Sequence, residues 1–330
     1  MEKSNLIDRF KRSITYLRLS VTDRCDFRCT YCMAESMAFL PRKEVLSLEE
    51  IVRIGRIFTE LGVSKIRITG GEPLIRNNII RAIEGLGSLP GLSHLCLTTN
   101  GSRLSEMAQP LKEAGVSTLN ISLDSLDKER FKHITRHGDL NQVLRGIERA
   151  QQCGFSKIKI NSVILRSKNL DEVPALVDFA MQRGLDISFI EEMPLGVIST
   201  HDRAKEFVSS EELRALIGRH YPLTATLQTT GGPSRYWQIS GSNNTIGFIS
   251  PHSDNFCASC NRVRLTASGR LLLCLGNEHS IDLRHLLRLG CHDDQIKRAI
   301  IQSMDIKPEK HEFDLHAKPE IVRFMSATGG

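Results

Sequence analysis

Long apolar runs are missing from this chain of 330 residues. No stretch approaches the roughly 18 consecutive apolar residues that a membrane-spanning helix needs, so no membrane partner is expected. The opening segment MEKSNLIDRFKRSITYLRLS alternates charge with short apolar pieces and lacks an apolar block followed by a small-residue cleavage site. Export is therefore not expected, and the chain reads as soluble and cytoplasmic. Aromatic residues are also scarce, at 5% with one Trp, which argues against base-stacking surfaces and leaves nucleic acid an unexpected partner. Neither sign of charge dominates: 44 Lys and Arg against 38 Asp and Glu leave +6, an excess that suits a small polyanion as well as a larger anionic surface. The 40% of hydrophobic residues, 24 Gly and 11 Pro are ordinary globular values, which excludes a disordered or collagen-like polypeptide.

From residue 15 to about 192 one unit recurs: an amphipathic helix, a glycine, then a short β-rich run. The glycines are Gly62, Gly115, Gly154 and Gly184. The clearest helix starts at Ser47, where Ser47 and Glu50 fit a capping box, and stops at Gly62. Six β runs (16–21, 65–69, 94–99, 117–123, 157–165 and 186–193) alternate with helices, which predicts a parallel sheet. Six units are too few for a complete eight-fold barrel, and no G-x-G-x-x-G follows the first strand. The expected fold is α/β, a partial, open (βα)6 TIM-like barrel over residues 1–195. Its functional rim should lie at the carboxyl ends of the strands, where TDRCDFRC, TGGEP, TTNG and SLDS fall. Residues 196–330 change character, with a helix over 209–218, a Gly-, Ser- and Thr-rich stretch and then short strands, and are expected to form a C-terminal extension.

Nine cysteines are too few per residue for a secreted disulfide framework. Six of them fall in two triplets, Cys25/Cys29/Cys32 and Cys257/Cys260/Cys274. The first sits in the loop after strand one, where three thiolates can converge on one object without ladder constraints. Thiolates select iron–sulfur or soft metal centres, and three of them leave one iron of a [4Fe–4S] cluster open to a small molecule. A zinc site or a redox pair is the alternative for this triplet. In the second triplet a zinc site completed by Cys291 or a histidine such as His279 competes with another open cluster, because no second C-x2-C follows Cys274.

The segment VTDRCDFRCTYCM, with an aromatic residue before the third cysteine, and the segment TGGEP resemble the signatures of the radical S-adenosylmethionine superfamily. The block NFCASCNRVRLTASG and the terminal Gly-Gly narrow the resemblance to the GTP 3′,8-cyclase family of molybdenum cofactor biosynthesis, over nearly the whole chain. One departure is Ala34, where that family often has Pro after Met33.

The resemblance implies two [4Fe–4S] clusters, one on each triplet, with the C-terminal extension binding the second. S-adenosylmethionine bound at the first cluster would yield a 5′-deoxyadenosyl radical. The radical would remove the ribose 3′ hydrogen of GTP, and C3′ would then attack guanine C8 to give (8S)-3′,8-cyclo-7,8-dihydroguanosine 5′-triphosphate. By the same resemblance Tyr31, Gly71, Ser122 and Met193 would contact S-adenosylmethionine. Arg18, Arg67, Thr98 and Lys159 would hold GTP from the barrel side, and Arg262, Val263 and Arg264 beside the second cluster. Gly329 and Gly330 would enter the active site as a required tail. Cations in short strands suit a triphosphate, since Arg18, Arg67 and Lys159 alternate with apolar neighbours and so point to one face. A homodimer, an external electron donor and handover of product to cyclic pyranopterin monophosphate synthase complete the expectation. Two other classes stay open on the residues alone: a zinc-dependent RNA-binding protein, and a radical enzyme acting on a peptide or RNA.

Overall fold

A computed structural model of the chain describes residues 6–241, 244–315, 321 and 323–329. Its first half alternates strands and helices: β1 (Tyr16–Ser20), α1 (Leu48–Glu60), β2 (Lys65–Thr69), α2 (Ile79–Gly87), β3 (His94–Thr99), α3 (Leu104–Glu113), β4 (Thr118–Ser122), α4 (Lys128–Thr135), α5 (Leu140–Gln152), β5 (Lys157–Val163), α6 (Val173–Gln182) and β6 (Asp186–Ile190). The six β runs read from the sequence are β1 to β6, and each neighbouring pair is parallel.

Local chemistry sets these boundaries. The Glu50 amide donates to Ser47 Oγ at 3.1 Å and the Ser47 amide donates to Glu50 Oε2 at 2.7 Å, so the capping box opens α1 as expected. Gly62 closes the turn after it with φ 98°, a conformation that other residues adopt only under strain. Ile51, Ile54, Ile57 and Phe58 of α1 are buried, and burying each such side chain is worth about 1.5–3 kcal/mol. They join Leu17, Leu19, Ile66 and Ile68, the outward-facing residues of β1 and β2, in one core. Alternate residues of the same strands, Tyr16, Arg18, Lys65 and Arg67, therefore face the interior of the curved sheet.

The remainder of the chain comprises α7 (Arg203–Glu206), α8 (Ser210–Gly218), β7 (Leu223–Ala225), β8 (Arg235–Ile239), β9 (Thr245–Ile249), β10 (Arg262–Leu265), β11 (Arg270–Leu272), β12 (Ser280–Asp282), α9 (Leu283–Arg288), α10 (Asp293–Ser303) and α11 (Met325–Thr328). The boundary expected at 195/196 falls in the loop after β6. Beyond it the chain rejoins the sheet at both sides: β9 pairs parallel with β6, and β10 pairs parallel with β1. The sheet runs β12-β11-β10-β1-β2-β3-β4-β5-β6-β9-β8-β7, so the six-stranded core is flanked by two further parallel strands that the sequence pattern does not assign to the barrel.

Candidate active site

Because β10 runs parallel to β1, its first residue lies at the same end of the sheet as the first residue of β1, with Tyr16 paired to Arg262. Cys25, Cys29 and Cys32 follow the end of β1, whereas Cys257 and Cys260 precede the start of β10. The two triplets thus stand at opposite ends of the barrel. A cavity of about 230 Å³ opens from the first triplet, whose three cysteines line it, into the barrel.

The first triplet sits on a loop pinned from several sides. The Arg28 and Thr30 amides donate to the carbonyls of Thr135 and Ile134 at 2.9 Å each, and Phe27 packs edge-on against Phe131. Asp26 accepts from Asn100 Nδ2 and Ser102 Oγ, both at 2.7 Å. Buried Glu72 accepts from Thr99 Oγ1 at 2.8 Å and from the amides of Asn100 and Leu74 at 2.6 and 3.0 Å. Asn100, within the TTNG segment, therefore links the GGE segment to the cysteine loop. Burial pushes the Cys25, Cys29 and Cys32 thiols up, Cys32 to about 12. Among the described residues no group of three or more His, Cys, Asp or Glu side chains is arranged to hold a single metal ion.

Tyr31, Gly71, Ser122 and Met193 all line the cavity. Tyr31 Oη donates to Asp124 Oδ2 at 2.7 Å, and Asp124 Oδ1 accepts the Val163 amide at 2.8 Å. Burial raises the Asp124 carboxyl to about 6 against the pull of those two donors. A Cβ on Gly71 would lie 2.3 Å from the Arg24 carbonyl oxygen. That glycine is needed where the GGE segment meets the cysteine loop, a contact closed by the Gly71 amide to Thr22 O and the Glu72 amide to Arg24 O, both 2.8 Å. The absent side chain serves the loop first, whereas sequence reasoning assigns it to the ligand. Met193 follows two buried carboxylates. One of them, Glu192, accepts from Arg203 Nε at 3.0 Å and contacts His201 Nε2 at 2.7 Å, while Arg203 also donates to the Leu195 and Gly196 carbonyls. No sequence signal points to this clamp, because its partners are spread over a loop without a motif.

Polar side chains form two rows across the sheet, the first of them three arginines. Arg264, Arg18 and Arg67 are register neighbours on β10, β1 and β2, and Thr98, Asn120 and Lys159 are neighbours on β3, β4 and β5. All six line the cavity. Burial lowers Arg18 and Arg264, and repulsion from neighbouring guanidiniums adds to it. Two phenols sit among them: Arg67 Nε donates to Tyr16 Oη at 2.8 Å and Lys159 Nζ to Tyr236 Oη at 3.2 Å. Burial alone raises the Tyr16 phenol, but Arg67, Arg18 and Lys65 outweigh it and bring it down to about 7. Both tyrosines escape a motif search because each acts through a residue distant in sequence. The cavity accordingly reaches past the carboxyl rim to the opposite end of the strands, where Tyr16, Lys65 and Thr230 line it.

The second triplet is carried by the segment before β10 and by the end of the β10–β11 hairpin. Cys257 and Cys260 share a tight turn closed by the Cys260 amide to Cys257 O at 3.0 Å. Burial raises the Cys260 thiol, but Lys307, Arg262 and Arg12 outweigh it and lower the net value. Arg262 stacks over Phe256 at 4.9 Å. Val263 alternates to the far face and is buried in the apolar core, and neither it nor Arg262 lines the cavity. Gly329 lies in the barrel, its carbonyl accepting from Arg264 Nη1 at 2.6 Å, and Met325 and Ser326 line the cavity. Gly330 lies outside the described residues.

Residues 19–180 match the family described as the Radical SAM superfamily, and residues 185–313 the one described as Molybdenum Cofactor Synthesis C. A curated relative from Saccharophagus degradans, named GTP 3′,8-cyclase, is 60% identical over 100% of both chains. The chain belongs to the GTP 3′,8-cyclase family. A relative of the same name from Pseudomonas entomophila is 55% identical over 100% of both chains. Among solved structures, Streptococcus suis SuiB bound to S-adenosylmethionine aligns with a TM-score of 0.60 at 17% identity, covering 88% of this chain and 69% of that one. That likeness concerns the fold, the partial TIM-like barrel of the radical S-adenosylmethionine enzymes. GTP 3′,8-cyclases are radical S-adenosylmethionine enzymes with iron–sulfur chemistry. Among the described residues no helix is long and apolar enough to cross a membrane.

Proposed function

We propose that this chain converts GTP to (8S)-3′,8-cyclo-7,8-dihydroguanosine 5′-triphosphate, the opening step of molybdenum cofactor biosynthesis. The observation that carries the reading is the row Arg264–Arg18–Arg67 lining the same cavity as the first cysteine triplet. Three adjacent guanidiniums repel one another in a site of low dielectric, and a polyphosphate is the ligand that turns this cost into binding.

Cys25, Cys29 and Cys32 would hold the first [4Fe–4S] cluster, and Cys257, Cys260 and Cys274 a second. With S-adenosylmethionine, the first cluster supplies reductive cleavage of the sulfonium to a 5′-deoxyadenosyl radical. Tyr31, Gly71, Ser122 and Met193 would orient S-adenosylmethionine. Arg18, Arg67, Thr98 and Lys159, with Arg262, Arg264 and the Val263 backbone, would hold GTP so that its ribose 3′ hydrogen faces the first triplet and its guanine the second. Gly329 and Gly330 would enter the active site as a tail required for activity. In this reading residues 1–195 cleave S-adenosylmethionine and 196–330 present the nucleotide. A cytoplasmic homodimer, an external one-electron donor and transfer of product to cyclic pyranopterin monophosphate synthase belong to the same proposal.

The test is formation of 5′-deoxyadenosine by anaerobically reconstituted protein given S-adenosylmethionine and a reductant, with and without GTP. Strong stimulation by GTP together with a cyclised nucleotide is the expected result. Cleavage indifferent to GTP would leave radical chemistry with another substrate.

A further inference from the structure

Lys307 is one of the largest fully buried side chains of the protein, 1% exposed. A buried ammonium is costly unless something negative faces it. Its Nζ donates to Arg262 O at 3.0 Å and to Leu273 O, and lies 3.9 Å from Cys260 Sγ. Among the described residues no carboxylate completes an ion pair with it. The two carbonyls are informative by position: Arg262 lies two residues after Cys260, and Leu273 immediately precedes Cys274. One ammonium therefore ties together the two segments that carry the second triplet, with a thiol as its remaining neighbour.

The segment that delivers Lys307 is itself clamped. Arg12 donates to Pro308 O at 2.7 Å and Glu309 O at 2.6 Å, and on the same guanidinium to Cys257 O at 2.8 Å. Asp8 holds Arg12 at 2.6 Å and is buried. The segments around Arg12 and Lys307, nearly three hundred residues apart, thus converge on the second triplet, each bringing a cation.

We propose that Lys307 is a positioning residue of the second iron–sulfur site, fixing the Cys260 and Cys274 segments relative to each other and placing its ammonium beside the cluster. The proposal rests on the two-cluster reading above. A cluster bound by three thiolates is anionic and gains a further negative charge on reduction, so a fixed cation stabilises the reduced form more than the oxidised one. The potential of the second cluster is thereby raised, in line with the general control of cluster potentials by nearby charge and hydrogen bonds to sulfur.

The experiment uses the full chain in a Cys25→Ser, Cys29→Ser, Cys32→Ser background, reconstituted anaerobically so that only the second site can load. Iron and sulfide are counted, and the midpoint potential is followed by electron paramagnetic resonance, for Lys307, Lys307→Met and Lys307→Arg. The expected result is a downward shift of the potential in Lys307→Met and a smaller shift in Lys307→Arg, which keeps the charge. Loaded Lys307→Met with an unmoved potential overturns the proposal while leaving the second cluster in place. If Lys307→Met does not load, restored loading in Lys307→Arg supports the proposal, and equal loss in both overturns it. No iron in the background protein with Lys307 intact overturns the two-cluster reading, and this proposal with it.

Discussion

The Arg264 guanidinium donates to the Gly329 carbonyl at 2.6 Å, so a cation in the row assigned to the triphosphate also anchors the end of the chain. Gly329 has φ 78°, and a Cβ there would stand 1.9 Å from Thr69 Oγ1. Replacing Gly329 by Ala should displace the tail, at a strain cost of about 1–3 kcal/mol. Cyclisation is expected to fall by roughly 5- to 150-fold with the melting temperature of the protein unchanged. Product formation measured beside thermal unfolding checks this, and full activity in Gly329→Ala would remove the tail from the site.

The arginine row trades stability for binding. Arg18 is flanked by Arg264 and Arg67 on neighbouring strands, so Arg18→Met should raise the melting temperature of the nucleotide-free protein. The same change should weaken GTP binding by about 1.5–3 kcal/mol, the range for hydrogen bonds to charged groups, or roughly 10- to 150-fold. Calorimetric titration with GTP, paired with thermal melts, separates the two effects. A variant that binds GTP as well as the parent chain would place the triphosphate elsewhere.

The two triplets should fail differently. Cys29→Ser is expected to abolish formation of 5′-deoxyadenosine. Cys274→Ser should leave the first site loaded and S-adenosylmethionine cleavage measurable, with no cyclised nucleotide. Iron counts and product analysis on both variants check this. Cleavage surviving in Cys29→Ser would refute the ligand assignment of the first triplet.

Asp124 provides a pH signature. Its carboxyl is raised from 3.8 to about 6 by burial, so the folded chain holds the proton more tightly than the unfolded chain does. The resulting stabilisation is fully present below the ordinary value and is lost as pH rises through the folded value. Relative to Asp124→Asn, the parent chain should therefore lose stability between about pH 4 and 6. Urea unfolding of the apo-proteins at the two ends of that window tests the sign. A difference that stays constant with pH would show that Asp124 is not the titrating group.

The repeating core was legible because its signals are local. Strands β1 to β6 carry their own period, and Ser47 and Glu50 are three residues apart. The first cysteine triplet was legible for the same reason. The flanking strands β9 and β10 were not, since each is short and gains its place only by pairing with β6 or β1 across more than fifty residues of intervening chain. Asn100, Tyr16, Tyr236, Arg12 and Lys307 went unassigned because each acts on a partner that the fold alone brings near. Gly71 carries a second constraint that the motif does not reveal: the backbone it lets close is that of Arg24.

The placement of β9 and β10 also bears on how the chain is made. Until residues 245–265 leave the ribosome, the nascent sheet exposes the outer edges of both β1 and β6, each a row of unpaired amides and carbonyls open to wrong partners. Closing β1 requires a contact between Tyr16 and Arg262, a long-range pairing of the kind that slows folding and lengthens exposure to aggregation. A nascent or truncated chain ending near residue 195 would keep both edges bare. The strand that carries Arg262 and Arg264, proposed above to hold the nucleotide, is the one that seals the first edge, so on that reading assembly of the substrate site and protection from edge-to-edge association are completed in the same late event.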